Sequence, residues 1–61
     1  MKLLNELTEK YSKEGYEGKY LMCAVYRAAL IIAAHLERFS DAEYFLLRLK
    51  QTEKLITPDN N

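Results

Sequence analysis

Few residues of this 61-residue chain are of the types that catalyse reactions or bind metals, and they do not form a recognisable motif. His35 is the single histidine and Cys23 the single cysteine. General acid–base catalysis needs a partner positioned within hydrogen-bond reach, yet the residues one helical turn beyond His35 are Arg38 and Phe39. One Cys and one His also fall short of the four ligands of a structural zinc site. We therefore expect no catalytic residue, no metal site and no cofactor, and predict a protein that is not an enzyme.

His35 and Cys23 each have a functional and a structural interpretation. His35 is either a pH-sensitive contact at a subunit interface or a half-buried side chain that hydrogen-bonds a neighbouring helix or water. Cys23 lies near Arg27 on a helix, and a nearby cation can lower a thiol pKa and make the thiol reactive. For both residues we favour the structural interpretation.

A second group of residues has the composition of a protein interface. One sector of a helix contains Tyr20, Arg27, Ile31 and Arg38, and tyrosine and arginine are typical of interface hot spots. A second line lies on a later helix and consists of Tyr44, Arg48, Gln51 and Leu55, spaced i, i+4, i+7 and i+11. The alternative is a solvated face whose arginines pair with nearby carboxylates. The predicted partner-binding residues are Tyr20, Arg27, Leu30, Ile31, Arg38, Tyr44, Leu47, Arg48 and Leu55.

The element that must position these residues is the apolar segment from Tyr20 to Leu36, interrupted only by Arg27 and His35. A helix that is apolar nearly all round needs to be buried, and a chain of about 60 residues is marginally stable alone. Small scaffolds without disulfides or metals often rely on oligomerisation. We therefore predict a homodimer. The residues assigned to self-association are Ala24, Ala28, Ala29, Ala33 and His35.

The pattern as a whole predicts an all-α protein of three helices, at about 2–14, 19–38 and 41–55. Helices 2 and 3 should form an antiparallel hairpin with the shorter N-terminal helix packed across it. Gly15 is expected to cap helix 1 in a left-handed conformation. Ser40 and Glu43 have the spacing of a capping box, which would start helix 3. Residues 1–57 form the predicted single domain and 58–61 a disordered tail.

Each helix has an apolar stripe that should face the core. On helix 1 the stripe is Leu3, Leu4, Leu7 and Tyr11. On helix 2 it is Leu21, Val25, Ile32, Leu36 and Phe39. On helix 3 it is Ala42, Phe45, Leu46, Leu49 and Ile56.

Composition excludes several classes of protein. Nine basic and nine acidic residues give zero net charge, which argues against a duplex-binding protein. With 49% hydrophobic residues the chain should not be disordered. The central apolar segment is shorter than the ~20 residues that span a bilayer, and Arg27 interrupts it. The N-terminus lacks the features of a signal peptide. These observations predict a cytoplasmic protein.

The predicted function is therefore binding by a small protein–protein interaction module, a regulator, inhibitor or adaptor, with another protein as partner in addition to a second copy. In size and helical hairpin the chain is similar in architecture to small dimeric bundle proteins such as the plasmid-encoded RNA-binding regulator of copy number. In length it is also similar to the small regulators and inhibitors of phages and plasmids. One alternative is a nucleic-acid-binding regulator that uses arginines and lysines of helices 2 and 3. Another is a structural subunit of a larger assembly.

Overall fold

The computed structural model describes residues 2–56, which form three α-helices and no β-strand. Helix α1 covers Lys2–Lys13, α2 covers Gly18–His35 and α3 covers Phe39–Ile56. The all-α, three-helix prediction is confirmed, with helix ends within about three residues of those expected. The predicted tail lies outside the described residues.

Helix α2 is central, because α1 and α3 each pack against it and antiparallel to it. Among residues 2–56, the helix backbones approach one another closely only in the pairs α1–α2 and α2–α3. Phe45 and Val25 are the largest fully buried side chains. Residues of all three helices complete the core, which consists of Leu7, Val25, Tyr26, Ala29, Ala33, Ala42, Phe45 and Leu49. Three of these eight are alanines, so the hydrophobic core is thin.

Helix α1 has the core stripe that its leucine spacing predicts. Leu7 is buried, and Leu3, Leu4 and Tyr11 are partly buried against the core. The other face carries lysines and glutamates that form exposed ion pairs one turn apart, such as Lys10–Glu14 at 2.9 Å. Such pairs support a helix by only a few tenths of a kcal/mol, so burial of the leucine stripe holds α1 in place.

The end of α1 is a Schellman motif built on Gly15. The Tyr16 amide donates to the Tyr11 carbonyl at 3.1 Å, and the Gly15 amide donates to the Ser12 carbonyl at 3.1 Å. This pattern requires a left-handed residue at the position after the helix, and Gly15 has a φ of +105°. The predicted glycine cap is confirmed.

Helix α2 ends in the same hydrogen-bond pattern without a glycine. The Arg38 amide donates to the Ala33 carbonyl at 2.9 Å, and the Glu37 amide donates to the Ala34 carbonyl at 3.1 Å. Glu37 takes the left-handed position with a φ of +58°. Because a side chain at this backbone conformation clashes with the backbone, Glu37 is a strained residue in the turn.

The early turn at Glu37 corrects the predicted start of α3. The Ala42 amide donates to the Arg38 carbonyl at 2.9 Å, so Arg38 precedes the first helical residue and Ser40 lies inside the helix. The capping box predicted for Ser40 and Glu43 is therefore wrong. The Arg38 guanidinium instead contacts the Asp41 carboxylate at 2.9 Å. Asp41 lies in the first turn of α3, where a negative charge interacts favourably with the positive end of the helix dipole.

The core stripe of α2 is rotated relative to the predicted one. Ala29 and Ala33, which the predicted stripe does not include, lie at its centre and are almost fully buried. Leu36 and Phe39, expected at the centre, are 63% and 64% exposed. The reason is that α2 ends at His35, so the two residues belong to the turn and the start of α3. On α3, Leu46 is also more exposed than predicted.

Candidate interaction surface

The described part of the chain leaves more large apolar side chains outside than inside. Five core residues are larger than alanine, whereas ten large apolar residues are more than a third exposed. Single exposed leucines are ordinary, but a contiguous apolar area is typical of a contact surface. The ten are Tyr16, Tyr20, Met22, Ile31, Leu36, Phe39, Tyr44, Leu46, Leu47 and Leu55.

Three of the ten, Tyr16, Tyr20 and Ile31, line a groove of approximately 580 Å³ along α1 and α2. We call it the α1–α2 groove. The residues that α2 contributes are Tyr20, Cys23, Ala24, Arg27, Ala28, Ile31 and Ile32. The other wall consists of Leu7, Lys10 and Tyr11 of α1 and Tyr16 of the connector. Three of the predicted partner-binding residues, Tyr20, Arg27 and Ile31, therefore share one surface.

The α1 wall is held in place by the Schellman turn. The turn carries Tyr16 back over the helix end, where its ring meets that of Tyr11 edge to face at 5.5 Å between centroids. Edge-to-face packing is a favoured aromatic geometry. The Lys10 ammonium lies 4.7 Å from the centre of the Tyr11 ring, within the range of a cation–π contact. The same ammonium hydrogen-bonds Glu14, which raises the pKa of Lys10 and keeps it cationic.

The α2 side of the groove has small residues between two large ones. Ala24 and Ala28 are half-buried one turn apart, and Tyr20 and Ile31 on either side are 64% and 51% exposed. The distance between neighbouring helix axes depends on the side chains at the contact. The two alanines thus allow a further helix to approach α2 closely.

Arg27 lies in the middle of this α2 surface, and its side chain is 66% exposed. One guanidinium nitrogen is 3.6 Å from a Glu53 carboxylate oxygen. That distance is beyond the range of a protein hydrogen bond, so the pair is a loose, solvent-exposed contact of the kind that stabilises a fold little. Arg27 therefore presents hydrogen-bond donors to the groove.

Cys23 is half-buried beside Arg27 and Glu53 and is not activated. Burial raises the pKa of the Cys23 thiol and Glu53 raises it further, while Arg27 has a smaller, opposite effect. The thiolate is the reactive form of cysteine, and a raised pKa reduces its population at neutral pH. Cys23 is therefore a packing residue in this structure, as the structural interpretation predicts.

Other predicted partner-binding residues lie on α3, outside the α1–α2 groove. Tyr44, Leu47 and Leu55 are about half or more exposed. The Arg48 guanidinium lies 5.7 Å from the centre of the buried Tyr26 ring and covers one side of the core. Leu55, unlike the other three, lies close to the start of α2. Its carbonyl accepts a 3.2 Å hydrogen bond from the side chain of Lys19, the residue before Tyr20.

Two further residues of the predicted interface have structural roles. Leu30 is partly buried against the core. Arg38 lies in the α2–α3 turn and pairs with Asp41, so it does not continue the line of Tyr20, Arg27 and Ile31.

The residues assigned to self-association lie in three different places in the fold. Ala24 and Ala28 line the groove. Ala29 and Ala33 lie inside the core of a single chain and cannot contact a second copy, which corrects their assignment. His35 is exposed at the end of α2, and its Nδ1 lies 2.9 Å from the Ile31 carbonyl oxygen. Because a carbonyl only accepts, Nδ1 carries the proton in this contact.

Sequence reasoning misses the part of the groove that α1 and the connector supply. Helical spacing places Lys10 on the solvent-facing side of α1 and Tyr11 in its core stripe, whereas both line the groove. Tyr16 and Tyr20 flank the two-glycine connector, and this proximity in sequence is the one available signal.

The described residues contain no cluster of three or more His, Cys, Asp or Glu side chains arranged to hold a metal. None of the helices in 2–56 combines the length and apolar character that crossing a bilayer demands. Comparisons with protein-family models, with curated proteins and with solved structures find no match to this chain.

Proposed function

We propose that this chain is a non-enzymatic protein–protein interaction module, a regulator, inhibitor or adaptor of the cytoplasm, that acts through helical surfaces. The observation that carries the proposal is the excess of large apolar side chains outside the thin core. Exposing them costs free energy of about 25 cal/mol per Å² of apolar surface. A partner that covers them recovers this free energy.

The α1–α2 groove is the main contact surface in this proposal. Tyr20 and Ile31 are exposed on a helix whose opposite side is fully packed, so they add nothing to the core. Tyrosine, arginine and aliphatic side chains together are the residues that dominate interface energetics.

In-cell photo-cross-linking tests the proposal. A photoreactive residue replaces Tyr20 or Ile31, and a matched variant carries it at Lys54, which is exposed on α3. We expect a discrete cross-linked protein from the groove positions and none from Lys54. Equal, diffuse cross-linking from all three positions would contradict the proposal.

Self-association is the second candidate, and the α2–α3 turn favours it. Leu36 and Phe39 are both exposed by more than 60% at this end of the molecule, close enough in sequence to form one patch. Light scattering over a wide concentration range measures the mass directly. We expect a concentration-dependent dimer that Phe39→Ser dissociates; a constant monomer mass would eliminate this candidate.

A further inference from the structure

The charges of the α1–α2 groove indicate what kind of partner fits it. Among the described residues that line it, Lys10 and Arg27 are cationic and none is acidic. The carboxylates that contact these cations, Glu14 and Glu53, lie outside the lining. An occupant with carboxylates at its edges would therefore be attracted, and one with cations repelled.

The shape of the groove fits a helix. The stretch from Tyr20 to Ile31 is about 16 Å long at 1.5 Å per residue, which is three helical turns. Ala24 and Ala28 leave room along its middle, and Tyr20 and Ile31 provide apolar contacts at its ends. A helix laid with its apolar side into a groove is a recurring mode of peptide recognition.

A second copy of this chain fits the same groove poorly. Contacts between identical copies are usually two-fold symmetric, and in such an interface a residue near the axis meets its own counterpart. Arg27 lies near the midpoint of α2, so antiparallel pairing of two α2 helices would place the two Arg27 guanidinium groups together. Each has only the loose 3.6 Å contact with Glu53 to offset the repulsion.

We infer that the α1–α2 groove binds an acidic amphipathic helix of another protein. Its apolar side packs on Tyr20, Ala24, Ala28 and Ile31, and its carboxylates pair with Lys10 and Arg27. Arg27 has five N–H donors, so it can bind an incoming carboxylate while its contact with Glu53 remains. This inference rests on the proposed function and adds the chemistry of the partner.

Three synthetic peptides of equal length test the inference. The first carries a leucine stripe at helical spacing flanked by glutamates, and the second has lysines in place of the glutamates. The third has the composition of the first in an order that destroys the stripe. Fluorescence anisotropy with labelled peptides measures binding to the full chain. We expect the acidic amphipathic peptide to bind at least about tenfold more tightly than either of the others.

Two charge-reversal variants, one in the groove and one outside it, provide the matched comparison. Arg27→Glu is expected to weaken binding of the acidic peptide by about tenfold or more and to favour the lysine peptide. Lys54→Glu makes the same change of net charge on the exposed surface of α3 and should leave the affinity unchanged. Because both sites are exposed, both variants should fold, which circular dichroism verifies.

The possible outcomes separate the inference from the proposed function. Equal binding of acidic and basic peptides, or equal effects of the two variants, overturns the inference and leaves the interaction module intact. Absence of binding by all peptides also overturns it, and the photo-cross-links then decide the proposed function independently. A dimer that Ile31→Asp dissociates would show a second copy in the groove and would equally overturn the inference.

Discussion

The two sides of α2 contain similar residues in opposite surroundings. Val25, Ala29 and Ala33 on the inner side are at most 3% exposed, because side chains of α1 and α3 pack against them. Tyr20 and Ile31 on the outer side are more than half exposed. Apolar composition alone therefore does not distinguish core from contact surface in this helix. The side on which the neighbouring helices pack decides it.

Removal of the Phe45 side chain should have the largest effect, because this ring is the largest side chain buried against the inner side. Phe45→Ala is expected to lower the free energy of unfolding by about 3–5 kcal/mol. That loss approaches the whole stability of a small domain. Urea denaturation followed by circular dichroism measures it. The matched variant Phe39→Ala, at a residue 64% exposed, should stay within about 0.5 kcal/mol of the parent.

A larger side chain should be tolerated on one side of α2 and not on the other. Ala29 has no exposed surface, so Ala29→Leu should overpack the core and destabilise it by about 1–3 kcal/mol. Ala34 is exposed, and Ala34→Leu is expected to change stability little. Thermal unfolding of the two variants compares them directly. Equal losses would mean that the inner and outer sides are packed alike.

The two helix ends provide a comparison of the same turn with and without glycine. Gly15 has a φ of +105° with open space where a Cβ would stand, so Gly15→Ala should cost about 1–2 kcal/mol from backbone strain alone. Because the Gly15 turn also positions Tyr16, the Tyr11–Tyr16 ring contact should loosen. Chemical denaturation gives the energy, and NMR ring-current shifts of the tyrosine protons report the contact.

The opposite substitution at the other turn should stabilise the protein. Glu37 occupies the same left-handed position with a φ of +58°, and Glu37→Gly removes that strain at an exposed site. We expect a gain of about 0.5–1 kcal/mol, reduced by the greater freedom of glycine in the unfolded chain. Thermal unfolding measures the gain. A loss of stability would show that the Glu37 side chain contributes more than its strain costs.

The smallest effect on stability is expected in the groove itself. Ile31→Ser removes an exposed apolar side chain and should change the free energy of unfolding by no more than about 0.5 kcal/mol. The same variant should lose binding of the acidic amphipathic peptide, which anisotropy measures. Loss of stability comparable to that of Ala29→Leu would mean that Ile31 belongs to the core.

The number of helices, the core stripe of α1 and the Gly15 cap could be predicted because each depends on residues close in sequence. Leucines one turn apart define a stripe wherever the helix packs, and glycine after a helix satisfies a local hydrogen-bond pattern. The rotation of α2 could not be predicted in this way. Its inner and outer sides are both apolar, so sequence periodicity does not reveal which side α1 and α3 cover.

The end of α2 and the wall of the groove depend on contacts that sequence spacing does not contain. Glu37 closes the turn three residues earlier than the apolar pattern predicts, and a non-glycine residue in a left-handed conformation gives little local signal. Lys10 and Tyr11 line the groove because α1 packs against α2, a tertiary arrangement. The prediction of α2 residues Tyr20, Arg27 and Ile31 as exposed is more successful, and the structure places their sector opposite the one that contains Val25, Ala29 and Ala33.

In the described residues the backbone of α1 lies close to that of α2 but not to that of α3, which has a consequence for how the protein opens. A 12-residue helix is marginal in water on its own, so α1 should unfold when it detaches, while α2 and α3 stay paired. Its amides should then exchange with solvent earlier than those of the hairpin, as a separate sub-global unit. The α1–α2 groove exists only while α1 is docked, so a ligand in the groove would slow α1 exchange by mass action. Occupancy of the groove and folding of the N-terminal helix are thus one linked equilibrium.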